Sequence, residues 1–175
     1  MLSKEELIEL LTTDSEAFNK EIKSVKGGAD LTESDFANIS LEGVIFDNTD
    51  LTSSSFADAN LTNVKFDGCN LTSVDFTRAN LVECSFNESV LNGTDFSYAK
   101  VDFSNFSDAD MAGSIFQSAD LSNSDFTMAE NLSACRFDED TIWPDNDLLP
   151  EDFDTNYSSD LSSLKDDDDY EQTDY

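Results

Sequence analysis

The sequence predicts a coiled solenoid, because a large apolar residue recurs every five residues from residue 31 to residue 126. Aliphatic side chains, with one methionine, alternate strictly with phenylalanine in this series. A small or β-branched residue stands two positions before each large one, and the other three positions are mostly Asp, Asn, Ser, Thr or Gly. The twenty large residues, each called position i below, are Leu31, Phe36, Leu41, Phe46, Leu51, Phe56, Leu61, Phe66, Leu71, Phe76, Leu81, Phe86, Leu91, Phe96, Val101, Phe106, Met111, Phe116, Leu121 and Phe126.

A period of five excludes ordinary helices and strands for this region. An α-helix repeats about every 3.6 residues and a strand about every 2, so neither keeps the apolar stripe on one side. A chain that turns a corner every five residues does keep it, with positions i−2 and i inside and positions i−1, i+1 and i+2 facing water. Four such sides close one turn of 20 residues, and stack leucine-type residues on two sides and phenylalanine on the other two.

Several segments of this region resemble the A(D/N)LxX motif of the pentapeptide-repeat family. They include Ala29-Asp30-Leu31-Thr32, Ala59-Asn60-Leu61-Thr62 and Ala79-Asn80-Leu81, and the resemblance extends over about residues 29–137. It implies an all-β solenoid of the right-handed quadrilateral β-helix type, with about five coils in this chain. We expect an N-terminal α-helical cap at 1–28, the β-helix at 29–137, a C-terminal cap at 138–147 and an acidic C-terminal tail at 148–175.

The N-terminal segment carries two helix-start signals. Ser3 and Glu6 have capping-box spacing, and Thr13 and Glu16 form a second pair. Leucines and other apolar residues follow at helical spacing, and Gly27-Gly28 is suited to ending the helix. The segment resembles the amphipathic leader of many family members, which predicts a lid on the first coil. A partner-binding role is the alternative.

At the other end, Asn131 is one extra residue, so the next large apolar positions of the repeat are Leu132 and Phe137. We expect Ile142-Trp143-Pro144 to close the core. The acidic residues that follow are typical of a disordered tail. Pro150 nevertheless suits a helix start, and a short dimerising helix is compatible with a stripe of apolar residues at helical spacing. Dimers joined through C-terminal segments occur in the family, and the stripe consists of Leu149, Phe153, Tyr157, Leu161 and Leu164.

The charge balance limits the classes of partner. The chain has 39 acidic and 9 basic residues, a net charge of −30, so nucleic acid is excluded as a direct ligand and a basic protein surface is predicted. No apolar run is long enough for a membrane span and the first residues lack a secretory signal, so we expect no membrane contact and a cytoplasmic protein. Cys69, Cys84 and Cys135 lack CxxC spacing and all fall at i−2, which predicts buried thiols.

The residue types argue against catalysis. Without histidine the chain cannot form a Ser-His or Cys-His pair or a histidine-bearing metal site. There is no glycine-rich phosphate loop, and a filled rod offers no cleft in which two carboxylates could acquire different pKa values. We therefore expect no enzyme activity, no catalytic, metal or cofactor-binding residues and no cofactor. Loose Ca²⁺ binding by the Asp-rich tail is compatible with the sequence, although an EF-hand loop is absent.

The acidic residues of the rod fall into two groups. Residues 29–137 hold 18 acidic and 4 basic residues, a net charge of −14, and over the regular repeats the four sides carry −4, −3, −3 and −4. Eight aspartates at i−1 are interpreted as structural, because Asp or Asn there can bond to nearby backbone, and Asn60, Asn70, Asn80 and Asn105 occupy the same position. The candidate partner surface comprises the acidic residues at i+1 and i+2, although solubility explains them almost as well: Glu33, Glu42, Asp47, Asp58, Asp67, Glu83, Glu88, Asp102 and Asp108.

The best-understood family members resemble DNA in shape and charge, and bind DNA gyrase or topoisomerase IV. The resemblance therefore implies a DNA mimic that modulates or protects a type II topoisomerase. The uninterrupted repeats are similar to those of mycobacterial-type members, whereas quinolone-protecting members often carry loop insertions. The alternative is a protein-protein interaction scaffold with another partner and no effect on topoisomerases, because fold alone does not decide function.

Overall fold

The structure, a computed structural model, describes residues 2–156. Four ladders of parallel β-bridges run along the molecule, and they start with the pairs 30↔50, 35↔55, 40↔60 and 45↔65. Each pair joins residues one 20-residue coil apart, so successive coils lie on one another in register. This arrangement is a β-helix solenoid, as the five-residue period predicts.

One side of the solenoid is regular enough to form strands. These are β1 (Ser40–Glu42), β2 (Asn60–Thr62), β3 (Asn80–Val82) and β4 (Lys100–Asp102), which pair in parallel in the order β1-β2-β3-β4. We call this side the strand face. The other three sides are joined by single bridges.

The core is a column of stacked side chains. All twenty large residues from Leu31 to Phe126 are buried, and so are their i−2 partners except the half-buried Ile39. Phenylalanines one coil apart stack face to face: the centroids of Phe46 and Phe66 lie 5.2 Å apart with 5° between the rings. Rings on neighbouring sides meet edge to face, as Phe56 and Phe66 do at 5.6 Å and 84°. Burying each ring contributes about 2–3 kcal/mol, so the two phenylalanine ladders account for much of the stability.

The aspartates at i−1 hold the corners. The carboxylate of each of the eight accepts the backbone N–H of the residue two positions later, as in the bond from Thr77 to Asp75 at 2.8 Å. Asn70 and Asn105 make the same bond, but Asn60 and Asn80 do not. These two lie in β2 and β3, where the extended backbone does not turn back to the side chain. The eight aspartates are Asp30, Asp35, Asp50, Asp75, Asp95, Asp110, Asp120 and Asp125.

Position i+2 also has a structural role, as the residue at which the backbone turns each corner, and the sequence pattern did not predict this. Every residue at i+2 from Glu33 to Ser118 has a positive φ, between 51° and 72°. This left-handed conformation is easy for glycine and tolerable for Asn and Asp, but unfavourable for most other residues. The choice of residue at i+2 is therefore limited by the backbone conformation of the corner as well as by the needs of the surface.

Two helices precede the first coil, α1 (Lys4–Thr13) and α2 (Ser15–Ser24). The predicted capping box is present: the hydroxyl of Ser3 accepts the N–H of Glu6, and the N–H of Ser3 donates to the Glu6 carboxylate. The second start was misplaced by one residue, because Asp14 and not Thr13 caps α2, accepting the N–H of Ala17 at 3.0 Å.

The glycine pair does not end α2, which stops at Ser24. Gly28 is required for a different reason. A Cβ at this position would lie 1.9 Å from the backbone oxygen of Asn48, so only glycine allows the chain to enter the first coil there.

Both helices pack on the solenoid. Leu7, Leu11, Phe18 and Ile22 are buried, and the ring of Phe18 meets that of Phe46 edge to face at 5.4 Å. The side chain of Asn19 donates to the Gly43 carbonyl at 2.9 Å and accepts the N–H of Ile45 at 2.8 Å. These bonds satisfy backbone groups at the start of the coil.

The last part of the solenoid contains two insertions. Asn131 adopts a left-handed conformation (φ 56°) and shifts the next bridge to Ile115↔Arg136. A second residue, inserted between Arg136 and Ile142, shifts the following bridge to Asp120↔Ile142; the sequence analysis missed it. The bridges therefore continue beyond residue 137, the predicted end of the β-helix. Two 3₁₀ helices, η1 (Leu132–Ala134) and η2 (Asn146–Leu148), lie in this part.

Aromatic side chains cover the end of the phenylalanine column. Trp143 packs edge to face on Phe116, Phe126 and Phe137 at 5.2–5.9 Å. Pro144 is buried, but Ile142 is 54% exposed, so it does not help to close the core as expected.

The apolar stripe starts differently from the prediction. Residues 150–156 contain no α-helix, so the predicted helix start at Pro150 is wrong over this range. Leu149 is buried, and Phe153 packs against Trp143 at 4.8 Å and Phe137 at 6.0 Å. These two residues belong to the end of the core, whereas Tyr157, Leu161 and Leu164 lie outside the described residues.

Candidate protein-binding surface

The three cysteines are the first side chains to consider for reaction chemistry within residues 2–156. Cys69, Cys84 and Cys135 are buried as predicted and none forms a disulfide. Burial raises the pKa of all three thiols, to about 11 for Cys84 and about 12 for Cys135. Among residues 2–156, no three acidic or cysteine side chains are grouped so that they could hold a metal ion. Over the same range no helix has the length and apolarity needed to cross a bilayer.

The nine predicted surface carboxylates lie on all four sides of the rod. Glu33 and Asp58 are each alone on their sides, and Glu42, Glu83 and Asp102 lie on the strand face or its corner. The remaining four follow one another along the side of the Phe46 ladder, one per coil. We call these four the acidic edge: Asp47, Asp67, Glu88 and Asp108.

The acidic edge borders a shallow depression of about 300 Å³, lined by Asp47, Asp67, Glu88 and neighbouring polar residues. Asp67 is held in place, because its carboxylate accepts the Ser85 hydroxyl and, at 3.0 Å, the N–H of Asn87. Burial, together with the nearby charge of Asp67, raises the pKa of Asp47. The charge of Asp67 thus adds to burial in disfavouring the ionised form of Asp47.

Two other candidates have intramolecular partners. The Asp58 carboxylate accepts two hydrogen bonds from the Arg78 guanidinium, at 2.8 Å each, which lowers the pKa of Asp58. The carboxylate of Asp102 accepts the side-chain N–H of Asn123 at 2.8 Å. Like Asp67, these residues stabilise contacts between coils.

The other five carboxylates are exposed and make no hydrogen bond or ion pair within residues 2–156. Asp108 suits its left-handed corner, but glutamate has no such preference, so the corner does not explain Glu33, Glu83 or Glu88. These glutamates remain candidates for a partner surface. The five are Glu33, Glu42, Glu83, Glu88 and Asp108.

Exposed apolar residues form a second surface feature, which the sequence analysis missed. Tyr98 is 63% exposed and Phe103 is 64% exposed, on the two corners that flank β4, with the exposed Lys100 between them. We call Tyr98, Lys100 and Phe103 the aromatic patch. Its signal in the sequence was the presence of two aromatic residues at i+2, a position otherwise occupied mainly by Gly, Asn, Asp, Ser and Glu.

Comparison with protein families identifies the repeat. A model described as a pentapeptide repeat region matches residues 27–96. A second model, described as pentapeptide repeats in eight copies, matches residues 89–127 and 104–139. Together these matches span well over half of the chain. A comparison with the curated proteins found no significant match.

Several solved structures are similar to this chain. A pentapeptide repeat protein from the thylakoid lumen of Arabidopsis thaliana is 21% identical, with a TM-score of 0.53 over 56% of this chain and 68% of that protein. The cyanobacterial protein Rfr23 from Cyanothece 51142 is 16% identical over 73% of this chain and 99% of its own, with a TM-score of 0.44. QnrB1, a plasmid-mediated fluoroquinolone resistance protein, is 24% identical over 64% of this chain and 59% of its own, with a TM-score of 0.46. The similarity to the Arabidopsis protein supports the fold alone. The matching family models show that the chain belongs to the pentapeptide-repeat family.

Proposed function

We propose that this chain is a non-enzymatic binding protein that presents an acidic rod to a basic protein surface, and that its partner is a type II topoisomerase, DNA gyrase or topoisomerase IV. The observation that carries this proposal is the charge per unit length. Five consecutive bridges lead from Asp30 to Glu130, which at a strand spacing of about 4.8 Å correspond to roughly 24 Å of rod. Over the same range, residues 30–130 hold 18 acidic and 3 basic residues, a net charge of −15. B-DNA of that length carries about 14 charges, at one per roughly 1.7 Å.

The exposed carboxylates support the proposal. Five of them make no hydrogen bond or ion pair within residues 2–156, so their charges are available to a partner: Glu33, Glu42, Glu83, Glu88 and Asp108. Charge complementarity would speed the encounter with a basic groove and make binding sensitive to salt. The choice of a topoisomerase rests on the resemblance of the repeats. The right-handed coiling, about five coils, and a capping role for α1 and α2 are part of the same proposal.

A supercoiling assay tests the proposal. Purified gyrase and topoisomerase IV are titrated with the protein at low and at physiological salt. We expect an effect on supercoiling or decatenation that weakens as salt rises. If no effect appears with micromolar protein at low salt, the topoisomerase proposal is wrong, and an interaction scaffold with another partner is the remaining interpretation.

A charge variant shows whether the rod surface is responsible. The substitutions Glu83→Gln, Glu88→Gln and Asp108→Asn remove three exposed charges without removing a hydrogen bond or ion pair within residues 2–156. The matched control carries Asp166→Asn, Asp167→Asn and Asp168→Asn, which change the net charge equally outside the described residues. The rod variant should lose affinity and the control should not. Equal behaviour of the two would show that net charge alone is responsible.

A further inference from the structure

The aromatic patch is a deviation from the pattern of the rod in two independent respects. Its two rings, with Met128 and Ile142, are the most exposed large apolar side chains of residues 2–156, on a surface that is mainly polar and acidic. They also occupy left-handed corners, with φ 60° at Tyr98 and 51° at Phe103. No other aromatic residue occurs in the two ladders that pass through these corners, which otherwise hold Asn38, Asp58, Arg78 and Ser118 in one case and Gly43, Asn63, Glu83 and Asn123 in the other.

Bulky aromatic residues are disfavoured in this conformation, and exposed rings gain nothing from the core. Neither folding nor solubility therefore explains the two residues. Aromatic side chains in such positions are typical of contact sites for another molecule.

The surroundings of the patch indicate the chemistry of that molecule. Val82, which is half-buried, lies one coil before Asp102 and adds apolar surface to the strand face, and Arg78 lies one coil before Tyr98. Ile142, which is 54% exposed, continues the ladder of Lys100 two coils further on. Arg78 is paired with Asp58, and the patch is bordered by the carboxylates of Glu83 and Asp102. Two exposed rings on either side of Lys100, bordered by these carboxylates, fit a partner surface that offers apolar contacts within a mainly basic region.

We propose that Tyr98 and Phe103 are the apolar anchors by which this chain binds its basic protein partner, with Lys100 between them and Glu83 at the rim. The inference rests on the proposed function, because it assigns the contact surface for the same topoisomerase. A second copy of this chain is a poor occupant, since two molecules with a net charge of −30 repel each other.

The test uses full-length protein and the substitutions Tyr98→Asn and Phe103→Asn, singly and together. Asparagine tolerates the left-handed corner, so the melting temperature should be unchanged or raised. The control is Val90→Asn, which removes an exposed apolar side chain from the side opposite the strand face. The dissociation constant for gyrase and topoisomerase IV is measured at low and at physiological salt.

We expect each aromatic substitution to weaken binding about 10-fold or more, and the control to leave it unchanged. The aromatic effect should persist at physiological salt, whereas the effect of the Glu83, Glu88 and Asp108 substitutions should shrink, because salt screens charges and not apolar contacts.

Three outcomes would overturn the inference. If wild-type protein binds neither enzyme, the inference falls together with the proposed function. If wild-type protein binds and the double variant binds equally well, the inference alone is wrong. If sedimentation shows that the wild type self-associates and the double variant does not, a second copy occupies the patch and the proposed partner is wrong for this surface.

Discussion

The rings of Phe86 and Phe106 lie parallel, with 1° between their planes and 4.8 Å between their centroids. This separation matches the spacing of hydrogen-bonded strands, about 4.8 Å. The backbone ladder thus places residues 20 apart at the distance at which aromatic rings stack. The same ring of Phe86 meets Phe76 and Phe96 edge to face at 6.0 Å.

Removing one ring should therefore destabilise several coils at once. We expect Phe86→Ala to lower the free energy of unfolding by about 3–5 kcal/mol, because it leaves a cavity in a fully packed column. Urea denaturation followed by circular dichroism measures this. Phe103→Ala, at an exposed ring, is the control and should not destabilise. A similar loss for both would contradict the packing described for the core.

The corner aspartates should contribute through their hydrogen bonds. Asp75→Ala leaves the N–H of Thr77 without its acceptor, and we expect a loss of about 0.5–1.5 kcal/mol. Asp75→Asn retains an acceptor oxygen and should cost less. The control is Glu88→Gln, whose carboxylate has no hydrogen bond within residues 2–156. If the alanine and asparagine variants are equally stable, the side-chain bond does not support the corner.

The left-handed corners predict stabilising substitutions. Phe103→Asn should raise the free energy of unfolding by about 1 kcal/mol, because a positive φ costs asparagine less conformational energy than it costs phenylalanine. Asn63 occupies the same corner two coils earlier, with φ 51°, so Asn63→Phe should destabilise by a similar amount. Thermal unfolding of the two variants measures both changes. Changes of the same sign in the two variants would refute the conformational explanation.

Asp47 should make stability depend on pH. Its pKa is raised in the folded protein by burial and by Asp67. The folded state therefore binds the proton more tightly than the unfolded state, and stability is lost as pH rises through the folded pKa. We expect Asp47→Asn to be more stable than wild type at pH 7, with a difference that disappears below the ordinary pKa of 3.8.

Asp30 provides the matched control with the opposite sign. Hydrogen bonds from Thr32 lower its pKa, so its contribution is present above the ordinary pKa of 3.8 and is lost as pH falls through the folded pKa. Asp30→Asn should thus be less stable than wild type at pH 7. Unfolding measured across pH 2–7 follows both variants. A difference at Asp47 that grows as pH falls would show that its carboxylate is stabilised by the fold.

The repeat region could be predicted in detail because its signal is local and repeated. The inward positions, the eight aspartate bonds and the buried cysteines all depend only on where a residue falls in the period of five. The exceptions are also local: Asn60 and Asn80 lack the aspartate-type bond because their backbone is extended in strands. The second insertion before Ile142 was missed because it follows the last regular repeat.

The amino-acid sequence by itself determined the five-residue period, the stacking of phenylalanine on two sides and the acidic character of the surface, because these follow from residue type and spacing. Only the tertiary structure decided which carboxylates accept hydrogen bonds from another coil, as Asp67 does from the N–H of Asn87, since a bond between coils depends on distance and orientation. It also decided that Tyr98 and Phe103 flank one strand in strained, exposed corners, and that Leu149 and Phe153 complete the core. The physical reason is that packing and backbone conformation depend on contacts between residues distant in the chain, which a repeating pattern does not specify.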